Sequence, residues 1–331
     1  MIEAYGADAV RIGMLLCASA GNDIFYDEAQ IKQGAAFCNK IWNSYRLVKG
    51  FQVDGTLPQS PAAAVAVKWF AAKLSAAILQ VEDHYSKFRI SDALMTIYKL
   101  FWDDYCSWYL EAIKPAYGQP VDRATYDATL DFFEQLLRLI HPVMPFITEE
   151  LWQDIYPRKE GETIMYAPTP QAQPVDETLL DHFALAAEAV NGIRGVRSQR
   201  NLPPKEVLSV QVKGSAFPEE MIPLVEKLAG CQVSCVAQFQ DGQGVGLMVR
   251  TLEWFVALNG LVNVQEELEK AQKDLAYQQK FLAGVRGKLS NEQFTAHAPA
   301  AVIENERKKE ADALSKIESL EAKIKQLTNS K

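Results

Sequence analysis

The stretch GAAFCNKIWNSYRLV, residues 34–48, decides the fold of this chain. Its apolar side chains recur at steps of three and four residues, which places them on one face of an α-helix: Phe37, Ile41, Tyr45 and Val48. A stripe of this kind is buried when the helix packs against other helices. The stretch therefore predicts one helix of a helical core.

A neighbouring side of the same helix is polar. Lys40, Asn43 and Arg46 recur at three-residue steps, and Trp42 lies beside them. A cation, an amide and an indole on one helix surface suit phosphate contact and base stacking. An ordinary amphipathic helix with solvated charges has the same composition. Both interpretations are open from these residues alone.

The composition is that of a soluble globular protein with room for two or three domains. The 331 residues are 48% hydrophobic and 23% charged, with a formal net charge of −8. That charge argues against unselective nucleic-acid binding, so a specific site requires a local basic cluster. No apolar run reaches the roughly 18 residues that a membrane span needs, and no membrane partner is predicted.

The cysteines and histidines predict no metal site. The five cysteines contain no C-x-x-C pair, and the spacing of Cys231 and Cys235 is poor for zinc. Scattered thiols of this kind are typical of a reduced, cytoplasmic protein. A glycine-rich phosphate loop and a G-x-S-x-G motif are also missing from the sequence, so we predict no catalytic residue and no cofactor within the chain.

Helical periodicity extends through the first half of the chain. Helices are predicted over residues 4–17, 61–85, 91–113 and 123–140, and from Pro145 onward. The third of these is densely aromatic, but Asp103 and Asp104 interleave with the rings and would repel a phosphate backbone. We therefore interpret its aromatic stripe as core. Residues 1–156 are predicted to form a helical-bundle domain.

The middle of the chain changes its period. A proline-rich segment at residues 156–174 precedes a helix predicted over residues 176–199. Short apolar runs then predict strands over 208–212, 233–239 and 245–249, with a helix over 219–229 between them. Residues 157–260 are thus assigned to a linker, a basic helix and a small α/β domain.

The C-terminal part carries two segments with a heptad pattern. Steps of three and four run from Leu261 to Val285 and again from Ile303 to Leu327, on either side of a break with glycine and proline. The pattern predicts an antiparallel coiled-coil hairpin over residues 261–331. At about 1.5 Å per residue, this arm would project on the order of 40 Å and should reach a partner. The predicted fold class is mainly α.

Basic residues gather at two places. In NGIRGVRSQRNLPPK, residues 191–205, arginines repeat every three residues without an acidic neighbour: Arg194, Arg197 and Arg200. Phosphate contact explains this repeat, and so does a solvated helix C-terminus that the helix dipole favours. The second cluster is flanked by glutamates, as a solvated coiled-coil face would be: Arg307, Lys308 and Lys309.

Several motifs in order resemble the class I aminoacyl-tRNA synthetases for valine, isoleucine and leucine, in the portion after the catalytic domain. They are YGADAVRIGML (residues 5–15), GNDIFYDE (21–28), FCNKIWNSYRLV (37–48) and HPVMPFITEELW (141–152). Two later motifs are similar to the valyl-tRNA synthetase family in particular: IRGVRSQRNLPP (193–204) and NEQFTAHAPAAVIENERKK (291–309).

The resemblance implies that the bundle is an anticodon-binding domain and that the arm contacts the outer corner of tRNA(Val). In that family the two ATP signature motifs and the editing domain lie upstream, so ATP, Mg²⁺ and valine attachment are expected of a longer enzyme. The expected partners are tRNA(Val) and the upstream catalytic and editing domains of the same chain. The protein is expected to be a cytoplasmic monomer. Another branched-chain synthetase, or a structural coiled-coil module, remains an alternative.

The resemblance also turns the polar and basic positions into candidates for tRNA contact. It does not say which base each of them reads. The candidates are Lys40, Trp42, Asn43, Arg46, Arg194, Arg197, Arg200, Asn201, Phe294, Arg307, Lys308 and Lys309.

Overall fold

The computed structural model describes residues 1–17, 27–240, 243–258 and 264–290, with shorter pieces between residues 303 and 321. The chain divides into two compact units. The first consists of Met1–Gln199, Pro203–Asp241 and Val245–Ala257, and the second of Arg200–Leu202, Gly242–Gly244 and Leu258–Lys331. The three-domain division at residues 156 and 260 stays a prediction.

The first unit begins with two helices, α1 (Ile2–Tyr5) and α2 (Ala7–Cys17), separated at Gly6 by a backbone φ of 86°. Helix α3 (Glu28–Lys49) contains the stretch at residues 34–48. The carboxylate of Asp27 caps it by accepting a hydrogen bond from the Ala29 amide at 2.9 Å. Helix α2 crosses α3 so closely that a Cβ at Gly13 would lie 2.8 Å from the Gln30 carbonyl oxygen.

The remaining helices complete a bundle around α3. They are α4 (Pro61–Ser86), α5 (Ile90–Lys99), a π-helix (Leu100–Tyr109), α6 (Leu110–Ile113), α7 (Arg123–Ile140) and α8 (Pro145–Ile155). Two short strands, β1 (Val53–Asp54) and β2 (Val121–Asp122), pair in parallel beside them. The predicted helix over residues 91–113 is therefore continuous, but its middle is wound as a π-helix.

The aromatic stripe of this continuous helix lies in the core. Phe101, Tyr105 and Tyr109 are fully buried, and Phe70 of α4 packs against both tyrosines at 5.0–5.3 Å between ring centroids. Burial raises the pKa of the Tyr105 hydroxyl well above its usual range. The interpretation of this stripe as bundle core is consistent with its burial.

Helix α4 bears on the prediction that no segment of the chain spans a membrane. It is long and apolar enough to cross a bilayer by length and composition alone. Its alanine-rich sequence carries only two charged residues before Glu82, namely Lys68 and Lys73. Because these lysines interrupt the apolar run, a search for uninterrupted apolar runs does not detect this helix. The apolar window is 56% buried inside the structure, as is usual for the central helix of a bundle.

Helix α9 (Glu177–Gln199) packs on the bundle and leads into a four-stranded sheet. The Phe183 ring stacks on Trp69 of α4 with 3.5 Å between centroids. The strands lie in the order β4-β3-β6-β5, and α10 (Ile222–Ala229) connects β3 to the parallel β4. Their bounds are β3 (Leu208–Lys213), β4 (Cys231–Val236), β5 (Gly244–Val249) and β6 (Leu252–Ala257). The apolar runs do not predict strand β6.

The second unit contains the long helix α11 (Val264–Leu289). Leu282 and Val285, two predicted seam positions, are 8% and 3% exposed, and Ala313 of the following segment is 2% exposed. Arg286 donates a hydrogen bond to Glu310 at 2.7 Å, so the later segment returns along α11 at this point. The coiled coil along the whole of residues 261–331 stays a prediction.

Candidate nucleic-acid interface

Helix α3 is fixed in the bundle by its apolar face. Phe37, Ile41, Tyr45 and Val48 are each at most 4% exposed, as the spacing predicts. Phe37 packs edge-on against Phe101, with ring centroids 5.7 Å apart. This packing sets the rotation of α3, and the rotation decides which polar side chains face solvent.

Lys40 is half-buried beside the aromatic core. Its Nζ lies 5.1 Å from the centroid of the Trp102 ring, and Trp102 in turn stacks on Tyr98 at 5.6 Å. The cation is attracted to the negative face of the indole, so this contact restrains the lysine side chain. Lys40 is thus partly engaged in bracing α3 against the π-helix.

The next turns of α3 are open to solvent. Trp42 is 41% exposed, and Asn43 and Arg46 are also exposed. Within the part of the chain that the structure describes, Arg46 makes no ion pair. An unobstructed guanidinium beside an exposed indole can contact a phosphate while a base stacks on the ring.

A groove of about 560 Å³ runs between this end of α3 and α8. It is lined by Trp42, Tyr45, Arg46, Lys49, Gly50, Glu150, Leu151 and Asp154. Lys49 extends the three-residue steps that include Lys40, Asn43 and Arg46 by one more turn. Lys49 is not among the candidates predicted from the sequence, although the same three-residue spacing identifies it.

Of the two acids that line this groove, Asp154 is bound within the protein and Glu150 faces solvent. Asp154 accepts a hydrogen bond from the Tyr45 hydroxyl at 2.6 Å, and its carboxylate lies 3.5 Å from Lys49 Nζ. The Tyr45 hydrogen bond, opposed by slight burial and assisted by Lys49, lowers the pKa of Asp154. The carboxylate charge is therefore shared with two donors, which weakens its repulsion of a phosphate near Arg46.

The basic helix uses two of its arginines inside the fold. Arg194 donates through Nε and Nη2 to the carbonyl oxygen of Leu228, at 3.1 and 2.7 Å. Arg197 donates to four carbonyl oxygens at 2.6–3.2 Å: those of Pro203, Glu206, Ala229 and Gly230. These carbonyls include the last ones of α10, which have no partner within their own helix. Arg197 thus has one of its five N–H donors left for phosphate, whereas the exposed Arg194 has three left.

The other basic candidates lie in the second unit. Asn201 is exposed and adopts a left-handed φ of 51°, next to the half-buried Arg200. Arg307 and Lys308 are exposed, whereas Lys309 is half-buried and has a contact of its own. Phe294 lies outside the described residues. Among the described candidates, Lys40, Trp42, Asn43 and Arg46 lie together on α3.

The two adjacent carboxylates of α8 do not converge on one site. The adjacent carboxylates of α8 diverge, because Glu149 accepts from the Thr163 hydroxyl and the Ile164 amide while Glu150 faces solvent. Among the described residues, no group of three or more histidine, cysteine or acidic side chains could hold a metal ion. All five cysteines are free thiols.

Two protein families match this chain. Residues 67–212 match the anticodon-binding domain of tRNA ligases, and residues 263–328 match the valyl-tRNA synthetase tRNA binding arm. The first match covers most of the bundle together with α9 and β3, and the second covers the arm. The order of the two matches along the chain is that of the predicted bundle and hairpin.

Three relatives that match over nearly the whole chain are valine–tRNA ligases. The protein of Parabacteroides distasonis is 51% identical over 330 residues, which are 99% of this chain and 38% of the relative. The protein of Phocaeicola vulgatus is 49% identical over 98% of this chain and 37% of its own length. That of Porphyromonas gingivalis is 45% identical over 100% and 38%. This chain therefore spans somewhat over a third of the relatives, in their C-terminal part.

Proposed function

Because this chain belongs to the valine–tRNA ligase family, we propose that it binds tRNA(Val) for a ligase of that kind. The bundle would hold the anticodon loop, and the arm would contact the outer corner of the L-shaped tRNA. Attachment of valine, with ATP and Mg²⁺, is assigned to the portion of the ligase that this chain does not span. We place the enzyme in the cytoplasm and expect it to be a monomer.

The groove between α3 and α8 carries the proposal. It combines an exposed indole, Trp42, with the guanidinium of Arg46 and the ammonium of Lys49. Anticodon bases are single-stranded, so they can leave the loop, stack on a ring and present their edges to side chains such as Asn43. Phosphate contacts from the cations would fix the register of the loop.

The division of labour among the basic residues follows from their contacts. Arg197 gives four hydrogen bonds to backbone carbonyls, so its proposed role is structural, whereas the exposed Arg194 remains a secondary candidate for phosphate contact. Phosphate contact is assigned instead to Arg46 in the groove and to Arg307 and Lys308 in the arm, whereas Lys49 is held by the backbone carbonyl and the carboxylate of Asp154. Lys40 and Arg200 remain secondary candidates, since both are half-buried.

A footprint of tRNA(Val) on the isolated chain tests this function. We expect protection of the anticodon loop and of the outer corner from hydroxyl radicals. A tRNA of the same body with a changed anticodon is the control and should bind more weakly. Binding without protection at either place would contradict the proposal. A dimer in sedimentation that requires residues 261–331 would instead favour a structural coiled-coil module.

A further inference from the structure

Helix α8, one wall of the groove, is capped by a residue from another helix. Its own N-cap residue, Met144, makes no side-chain hydrogen bond to the first turn. The two carboxylate oxygens of Asp8, in α2, accept hydrogen bonds from the amides of Phe146 and Ile147 at 3.3 and 2.7 Å. Asp8 is only 6% exposed. A carboxylate is favourable at this place because it meets amides that lack a partner within the helix and the positive end of the helix dipole.

Arg11, one turn further along α2, holds the turn that precedes α8. Its guanidinium donates through Nε to the Val143 carbonyl at 2.8 Å and through Nη2 to the Pro142 carbonyl at 3.1 Å. Asp8 and Arg11 thus bind groups of opposite polarity on one short segment, namely the amides that begin α8 and the carbonyls just before them. Helix α2 therefore fixes the start of α8 through two charged side chains.

The same helix packs against α3, the other wall of the groove. A Cβ at Gly34 of α3 would overlap the backbone carbonyl of Ala9 in α2, and the contact of Gly13 with the Gln30 carbonyl is similarly close. At both places the two backbones meet without a side chain between them. Helix α2 is therefore in direct contact with both helices that form the groove.

A second tie between α3 and α8 lies further along both helices. The Tyr45 hydroxyl donates a hydrogen bond to the Asp154 carboxylate at 2.6 Å. This bond is roughly two to three helical turns beyond the contacts that α2 makes with the two walls. Trp42 lines the groove less than one turn before Tyr45. The separation of the walls beside Trp42 thus depends on α2 at one end and on this hydrogen bond at the other.

We propose that Asp8 is a positioning residue for anticodon recognition: by capping α8, it sets the place of this helix relative to α3 and thus the fit of a base against Trp42. This inference rests on the proposed function. Asp8 is too deeply buried to contact RNA itself, so its effect is transmitted through α8. It adds a residue outside the groove to those that determine which anticodon the groove accepts.

Recognition of bases is more sensitive to the position of α8 than attraction of phosphates is. Hydrogen bonds to a base edge weaken steeply when donor and acceptor are misaligned. The attraction between a cation and a phosphate changes gradually with distance. A displaced α8 therefore impairs discrimination between anticodons more than it impairs the general attraction for RNA.

The variant Asp8→Ala of the 331-residue chain tests this inference. The quantity measured is the ratio of its affinities for tRNA(Val) and for the same tRNA with a changed anticodon. We expect this ratio to fall about fivefold or more, because a binding site loses precision when the residues that support it are removed. The slope of log affinity against log salt should stay unchanged, since no phosphate contact is removed.

Asp122→Ala is the matched control. Asp122 is 7% exposed and caps α7 by accepting a hydrogen bond from the Thr125 amide at 2.8 Å, but it does not line the groove. Denaturant titration should show a loss of stability for both variants, whereas the affinity ratio should fall only for Asp8→Ala. An unchanged ratio for Asp8→Ala, or an equal fall for both variants, would overturn the proposal.

Two further measurements keep the result decisive. If circular dichroism shows that Asp8→Ala does not fold, Asp8→Asn takes its place, because the amide keeps one oxygen acceptor for the two amides of α8. A ratio for folded Asp8→Asn equal to that of the unchanged chain would then overturn the proposal. Equal affinity of the unchanged chain for both tRNAs would contradict the proposed function itself, so the two failures are distinguished by the protein in which they occur.

Discussion

The guanidinium of Arg197 donates a hydrogen bond to the carbonyl oxygen of Gly230 at 3.0 Å and thereby ties α9 to the end of α10. Gly230 ends α10 in a left-handed conformation, with φ of 64°. The last carbonyls of a helix carry a partial negative charge, so a cation at this position is favourable. Arg197 acts as a cap for a neighbouring helix, a role that sequence spacing does not reveal.

Replacing Arg197 should therefore destabilise the fold. For Arg197→Ala we expect a loss of about 2–3 kcal/mol in the free energy of unfolding, because several charge-assisted hydrogen bonds are removed at once. Denaturant titration followed by circular dichroism measures it. Arg123→Ala is the control, since Arg123 is exposed and makes one long contact of 3.5 Å to Asp127. Equal effects of the two substitutions would contradict the capping role.

The difference between local and long-range information explains which features follow from the sequence. The buried face of α3 follows from periodicity, so the spacing alone identifies Phe37 and Ile41 as core residues. Arg194 and Arg197 both have partners that lie about thirty residues further along the chain, at the end of α10 and the turn after it. Periodicity carries no information on such contacts, and an arginine repeat looks the same whether it binds carbonyls or phosphates.

Two elements illustrate the same limit. The π-helix at Leu100–Tyr109 has the composition of an ordinary amphipathic helix, so the spacing of its side chains does not reveal its wider winding. Strand β6 (Leu252–Ala257) follows β5 after two residues, and both strands are short and half-exposed. It pairs with β5 across this short turn and, on its other side, with β3, which is far away in sequence.

Asp104 should make stability depend on pH. Burial raises the pKa of its carboxyl to about 6, against an opposing effect of Lys73, whose Nζ lies 3.6 Å away. The folded protein thus binds this proton more tightly than the unfolded chain does. The stability that results is present below about pH 4 and is lost as the pH rises through about 6.

The variant Asp104→Asn isolates this effect. Relative to the unchanged protein, its free energy of unfolding should increase by roughly 1–3 kcal/mol between pH 4 and pH 7. The attraction of Lys73 acts on the ionised carboxylate and is already included in the pKa of about 6. Thermal or denaturant unfolding across these pH values measures the difference. A difference that stays constant with pH would show that Asp104 has an ordinary pKa in the folded protein.

The arm should contribute to tRNA affinity through its exposed cations. Reversing Arg307 and Lys308 to glutamate should weaken binding of tRNA(Val) at least about tenfold at low salt, because two phosphate contacts become repulsive. The matched control reverses Lys273 and Lys280, which are exposed on α11. If both pairs weaken binding equally, the arm acts through its overall charge and not through a defined contact.

The affinity of the Arg46→Gln variant for tRNA(Val), measured against salt concentration, tests the central claim most directly. If α3 faces the anticodon loop, affinity falls and the slope of log affinity against log salt becomes shallower by about one, the change for one lost phosphate contact. Arg123→Gln removes the same charge from an exposed position on α7 and should leave both quantities unchanged. An unchanged affinity and slope for Arg46→Gln would contradict the assignment of this surface to tRNA.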